Sequence, residues 1–335
     1  MNKRRRFLAG IPLLLTLMAF CLPAHSAPWP VANEACWYIH LDHQAYRQSN
    51  LGKLIHSVWG DDYQKAMTDL KGRLKIDLDK DLHDLSIFGW GLGKEFVIDM
   101  KGNLDLASML KRIQDSAQTL PKDARSAIAK LKVTRSGKTS WLSLDEHAFL
   151  AQNNKGHIYF SPNRERLDSV MRQPAWNPAA EVKEILKKAP GQAFLTVAAL
   201  GFSEALKAKA PQAAMLGNTH WVLLTLGDNG GQSRMTLNLM TESTEKAKSL
   251  YQIAQGILGM ARLKMLSQNE EHDVPEFVPA LLNALELTQN DAEIHLSLAM
   301  SQDQLGKMMH EMRDAKSKKS CEKKEKDEED DDDGE

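Results

Sequence analysis

Cysteine is scarce in this chain: there are three in 335 residues, and one of them, Cys21, sits inside the N-terminal apolar run. The other two, Cys36 and Cys321, cannot build the multi-bridge framework that staples small secreted folds. Cys36 falls in an apolar stretch of strand type, where a buried, inert thiol is expected. A bridge to Cys321, or between two chains through Cys321, is the other reading that an oxidising compartment allows. An excess of either charge is missing too. The formal net charge is −1; residues 1–27 carry +4 and residues 314–335 carry −5, which leaves the body between them neutral. A neutral body lacks the concentrated basic face that a nucleic-acid partner needs. Catalytic signatures are likewise absent. The sequence holds no G-x-S-x-G elbow and no H-E-x-x-H pair, and the glycine-rich Gly89-Trp90-Gly91-Leu92-Gly93 runs into a strand pattern. Without a following helix N-terminus it cannot cradle a phosphate.

Long apolar runs are absent except for one, from Phe7 to Leu22. It follows Arg4-Arg5-Arg6, is interrupted by Pro12 and ends in the small-residue stretch Ala24-His25-Ser26-Ala27. That is the layout of a secretory signal peptide, too short to span a bilayer. Cleavage is expected after Ser26, with Ala27 as the alternative site. Phe20, directly before Cys21, argues against a lipoprotein anchor. Arg4-Arg5-Arg6-Phe7-Leu8 also resembles a twin-arginine signal, which would mean export after folding. Either route predicts a periplasmic or secreted protein with no transmembrane anchor after processing.

What is present is a pattern that occurs about twice. The first copy reads as a strand Cys36 to Leu41, helices near Ser49 to Trp59 and Asp62 to Leu74, a hairpin through Leu85 to Phe88 and Glu95 to Met100, and a helix Asp105 to Gln118. Leu106, Met109, Leu110 and Ile113 give that helix one apolar stripe. The pattern continues with a hairpin near Leu131 to Leu144, a strand Gly156 to Phe160, and a helix Asn163 to Met171 opened by Ser161-Pro162. The second copy reads as a strand Ala193 to Ala198, a helix near Phe202 to Lys209, and a hairpin of Trp221 to Leu226 with Arg234 to Met240. A long helix, Thr244 to Leu266, follows, with Leu250, Ile253, Ala254, Ile257, Leu258, Ala261 and Met265 as its expected core stripe. A helix Glu276 to Leu285, a strand Glu293 to Met300 with one wet face, and a helix Gln302 to Arg313 complete it. The expected class is α+β: two related halves, 28–173 and 192–313, each a mainly antiparallel sheet with helices on one face. Pro174, Pro178 and Pro190-Gly191 mark a linker with a short helix at 174–191. Residues 314–335, six Lys against eleven Asp and Glu, have almost nothing apolar to offset ordering entropy. They predict a disordered tail, either solubilising or a tether for a basic partner or Ca²⁺.

Three stretches carry a family resemblance: Trp37-Tyr38-Ile39-His40-Leu41-Asp42, the strand and turn from Leu85 to Gly91, and His157-Ile158-Tyr159-Phe160-Ser161-Pro162-Asn163. In them the chain resembles a broad group of uncharacterised exported bacterial proteins with domains of unknown function. The resemblance implies the α+β architecture and no particular activity.

Candidate ligands for a metal are His40 and Asp42, which share one face of a strand while His43 points to the other, and Met308 and Met312, whose thioethers suit Cu(I). Leu305, Met308, Met309 and Met312 also fall at i, i+3, i+4, i+7, the pattern of a buried helix face. Glu270-Glu271-His272-Asp273 offers at best a weak cation site. No catalytic residue and no cofactor is singled out. The expected function is a non-catalytic binding or accessory protein of the bacterial cell envelope, whose partner is an envelope protein or an apolar ligand held between two sheets. The alternatives are an envelope hydrolase assembled only in the fold, and periplasmic metal handling.

Overall fold

The computed structural model describes residues 35–313, apart from 59, 75–76, 91–94, 118–121, 146–147, 154–155, 173–179, 201–218 and 269–276. The expected signal peptide, the expected tail with Cys321, the helix expected near Phe202 to Lys209 and the Glu270 to Asp273 cluster lie outside the described residues.

The first part of the chain forms β1 (Trp37–Asp42), α1 (His43–Gln48), α2 (Asn50–Val58), α3 (Gly60–Leu74), α4 (Leu78–Asp81), β2 (Leu82–Gly89), β3 (Phe96–Gly102), α5 (Leu106–Ser116) and α6 (Lys122–Lys130). Four strands follow, β4 (Val133–Ser136), β5 (Thr139–Asp145), β6 (Ala148–Gln152) and β7 (His157–Ser161), and then α7 (Arg164–Arg172) and α8 (Ala180–Leu186). The rest comprises β8 (Ala193–Leu200), β9 (Thr219–Asn229), β10 (Gln232–Thr241), α9 (Thr244–Gln268), α10 (Phe277–Asn283), β11 (Leu285–Asn290), β12 (Glu293–Ser301) and a helix α11 over 302–313. Local chemistry sets these boundaries. Asp42 caps α1 by accepting from the Ala45 N–H at 2.8 Å, and Asp105 caps α5 through the Ser108 N–H at 2.7 Å, each satisfying a helix donor that has no partner within the helix. Strand β6 was not expected. Its apolar residues do not alternate because both sides are covered: Leu150 packs toward α5 and Ala151 toward α7.

The class is α+β, and all the strand pairs are antiparallel. The two expected sheets are one. Twelve strands run in the order β11-β12-β10-β9-β8-β1-β2-β3-β7-β6-β5-β4. In both halves the opening strand, β1 or β8, flanks a hairpin whose second strand pairs with the last strand of that half. The opening strands would each present a bare edge, and pairing Trp37–Leu41 with Leu195–Ala199 removes both. The apolar groove expected between two sheets would therefore have to form on a single sheet.

The period-2 alternation sorts side chains onto two faces. On one, the register links Leu285, Leu298, Met235, Leu226, Leu195, Leu41, Leu85, Met100 and Ile158, one residue from each of nine neighbouring strands. Helices of both halves dock on this apolar rank: Leu106 and Leu110 of α5 against Leu142 and Ile158, and Leu54 and Val58 of α2 with Leu305 and Met309 of α11 against Met300. On the other face α7 and α8 cover only part of the sheet. Leu167 packs on Phe88 and Val97, and Val182 and Ile185 pack on Ala198, Trp221 and Leu223.

Candidate functional site

One residue along each strand from the apolar rank lies a polar one, on the opposite face. It runs Glu286, Ser297, Thr236, Thr225, Thr196, His40, Ser86, Asp99, Tyr159 across the same nine strands. Each pair of neighbours in sequence, such as Leu41 with His40 or Leu226 with Thr225, sends an apolar side chain to the helices and a polar one to the other side.

In the first half this rank is internally paired. His40 Nδ1 lies 3.0 Å from Ser86 Oγ, which also meets the Tyr38 hydroxyl at 3.3 Å. His157 Nδ1 donates to Asp99 Oδ1 at 2.9 Å, and Lys101 meets Asp84 at 3.3 Å. Burial pushes the Asp99 carboxyl above the usual aspartate range, and the hydrogen bond from His157 only partly offsets this. Burial, with the Asp99 charge nearby, pushes the Tyr159 phenol up to about 12. Ser86 beside His40 has the distance of a nucleophile and base. Strand β2 is paired on both sides, so its own backbone N–H groups serve the ladder rather than a developing oxyanion.

In the second half the polar rank floors a cleft of about 620 Å³ bounded by Lys188, Gln192, Gly227, Asp228, Arg234, Asn238 and His295. The Thr225 and Thr236 hydroxyls bond each other at 2.6 Å in its base. Asn238 Oδ1 accepts from His295 Nδ1. Lys188 pairs with Glu293 at 2.9 Å and stands over the Trp221 ring, 4.5 Å from its centroid. The Asp228 carboxylate is also engaged, taking the Asn50 N–H on one oxygen and the Ser233 hydroxyl at 2.8 Å on the other.

The residues proposed as metal ligands are placed apart. His40 and Asp42 share a face, but His40 is bonded to Ser86 and Asp42 to the first turn of α1. His43 is buried and pairs with the Leu82 carbonyl at 3.1 Å. Met308 and Met309 pack in the cluster around Leu54 and Met300, on the opposite face from His40, and Met312 is 43% exposed. Among the described residues no three His, Cys, Asp or Glu side chains are grouped to hold a metal. Among the described residues Cys36 forms no disulfide, and burial pushes its thiol pKa up.

No family model matches this chain, and no curated protein matches it. Among solved structures, crystal form III of TP0453 aligns with a TM-score of 0.45 at 10% identity, over 86% of this chain and 100% of that one. Crystal form I of TP0453 aligns at 0.40 and 10%, over 85% and 98%, and crystal form IV at 0.42 and 9%, over 84% and 94%.

A further surface feature lies on α9. The stripe expected to be its core face is only partly so. Ala247 is fully buried and Leu250, Ala254 and Leu258 are half-buried, but Ile253 and Ile257 are 42% and 55% exposed. With Met260 at 65% and Leu263 at 67% they form a second apolar line on the outer side of the helix. The helix is apolar over more than half its circumference, so periodicity found its apolar arc without showing which part meets the sheet. Arg234, Asn238, His295, Asp99 and His157 were not singled out from sequence. Their strands alternate visibly, but no local signal says which outward side chains of distant strands will meet.

Proposed function

We propose that the chain is an exported, non-catalytic binding or accessory protein of the bacterial cell envelope that docks a partner protein along α9. The observation that carries this reading is the outer line of Ile253, Ile257, Met260 and Leu263 on one 25-residue helix. Single exposed apolar residues need no explanation, whereas a contiguous line of four large ones marks an interaction surface. Gly256 and Gly259 beside it have open space where a Cβ would stand, which lets a second backbone approach closely. The basic residues and apolar run within residues 1–27 support the envelope address.

The test places a photo-crosslinking amino acid at Met260, and in a control at Gln255 on another side of α9, within cells carrying the full chain. One defined envelope protein joined from position 260 and not from 255 is the expected result. Identical adducts from both positions, or none from either, would overturn the reading.

A further inference from the structure

We propose that the cleft over β8, β9, β10 and β12 is a binding site for a small anionic ligand, one that presents a carboxylate or phosphate group to Arg234. Lys188 on the cleft is paired with Glu293, and the Asp228 carboxylate keeps its charge but has one oxygen taken by the Asn50 N–H and the other by the Ser233 hydroxyl. Arg234 makes no hydrogen bond or ion pair among the described residues, and it is exposed on the wall of the cleft. Of the charged side chains on the cleft, Arg234 is therefore the one whose hydrogen-bonding groups are open to a ligand. A guanidinium offers its donors in a flat fork that suits carboxylate and phosphate oxygens, and such charge-assisted bonds are among the strongest a site can make.

The register explains why Arg234 stands clear. Its cross-strand neighbours are Gly227 on β9 and Ala299 on β12, the two that could crowd it least. Gly227 is itself required by the fold, because a Cβ there would lie 2.5 Å from the Gln192 carbonyl oxygen. The space beside the guanidinium thus follows from the backbone packing of β9 against 192–193. Further along β10, Thr236 and Asn238 face the same way, extending the polar wall by about 13 Å from Arg234 at strand rise. Asn238 has its oxygen occupied by His295, which leaves its amide N–H groups to donate. The ligand that fits is a small anion with its charge at Arg234 and hydrogen-bond acceptors along its body.

This site is separate from α9, and either proposal can fail alone. The experiment follows the modification of Arg234 by phenylglyoxal in the full chain, by peptide mass spectrometry, with succinate or inorganic phosphate as probe and Arg135 on β4 as an internal control. Probe at about ten times its Kd is expected to slow labelling of Arg234 roughly tenfold, as the fraction of sites left free falls, with Arg135 unchanged. Protection by succinate alone assigns a carboxylate ligand, by phosphate alone a phosphate ligand, and by both a general oxyanion site. Calorimetry with the protecting probe should show R234Q weaker by a similar factor and R135Q unchanged, with both melting as the native chain does. Equal protection of Arg135, no protection by either probe, or full binding by R234Q would overturn the proposal.

Discussion

Asp105 and Asp99 are both aspartates of the first half, and their surroundings push them in opposite directions. Asp105 accepts from Ser108 at the start of α5, which holds its carboxyl below the ordinary value of 3.8. Its stabilising contribution is present above that value and is lost as pH falls through the lowered one. Replacing it with Ala should cost about 1 kcal/mol in urea unfolding at neutral pH, and replacing it with Asn should restore most of that. Asp99 is raised by burial, so the folded state holds its proton more tightly than the unfolded chain does. Its contribution is full below 3.8 and is lost as pH rises through the raised value. Asp99→Asn should remove that decline from the urea midpoint measured across the acid limb; an unchanged slope would refute the assignment. Two glycines make a matching contrast. A Cβ on Gly102 would stand 1.8 Å from the Asp81 carbonyl oxygen, whereas Gly72 on α3 has nothing within 4 Å. Gly102→Ala should destabilise by roughly 2 kcal/mol or more, because backbone must move. Gly72→Ala should stabilise by about 0.5–1 kcal/mol through the helix preference alone.

At the scale of the element, α9 departs furthest from the sequence expectation. Its apolar arc is wide enough that two faces compete for the sheet, and the choice goes to the side with small residues. Ala247, at 0% exposure, lets the helix sit close, and the larger Ile257 and Met260 are left outside. Met260→Lys should therefore change stability by no more than about 0.5 kcal/mol while abolishing the partner crosslink formed from a photo-crosslinking residue placed instead at Leu263 on the same line. Ala247→Leu should cost about 1–3 kcal/mol, since the added carbons have nowhere to go. Thermal melts of the two variants separate the alternatives, and a large loss in Met260→Lys would show that the outer line is structural. Most other elements were legible within a few residues, because α5 and β10 each have a single clear periodicity that burial then follows. Strand β6 was not, because a strand covered on both faces loses the alternation that would reveal it.

For the whole molecule, the decisive contact is β1 with β8, which turns two sheets into one and places both halves in a single ladder. Unfolding followed near Trp141 in the first half and near Trp221 in the second should therefore give one coincident transition. Thr196→Pro, in the strand that makes the junction, should cost about 3 kcal/mol or more by removing a ladder donor where neither side is an edge. Two separated transitions in the native chain would show that the junction does not couple the halves.

The sequence by itself determined the α+β class, much of the order of strands and helices and the two-residue alternation that splits apolar from polar ranks, because each of these is set by residues within a few positions of one another. Its first 27 residues also carry the basic and apolar pattern on which the proposal of export rests. Only the tertiary structure decided that the opening strands meet edge to edge, that Asp228 is committed to Asn50, 178 residues away, and that Arg234 stands between Gly227 and Ala299 with no counter-charge among the described residues. Those outcomes depend on pairing between distant strands, and periodicity says which way a side chain points but not what it will find there.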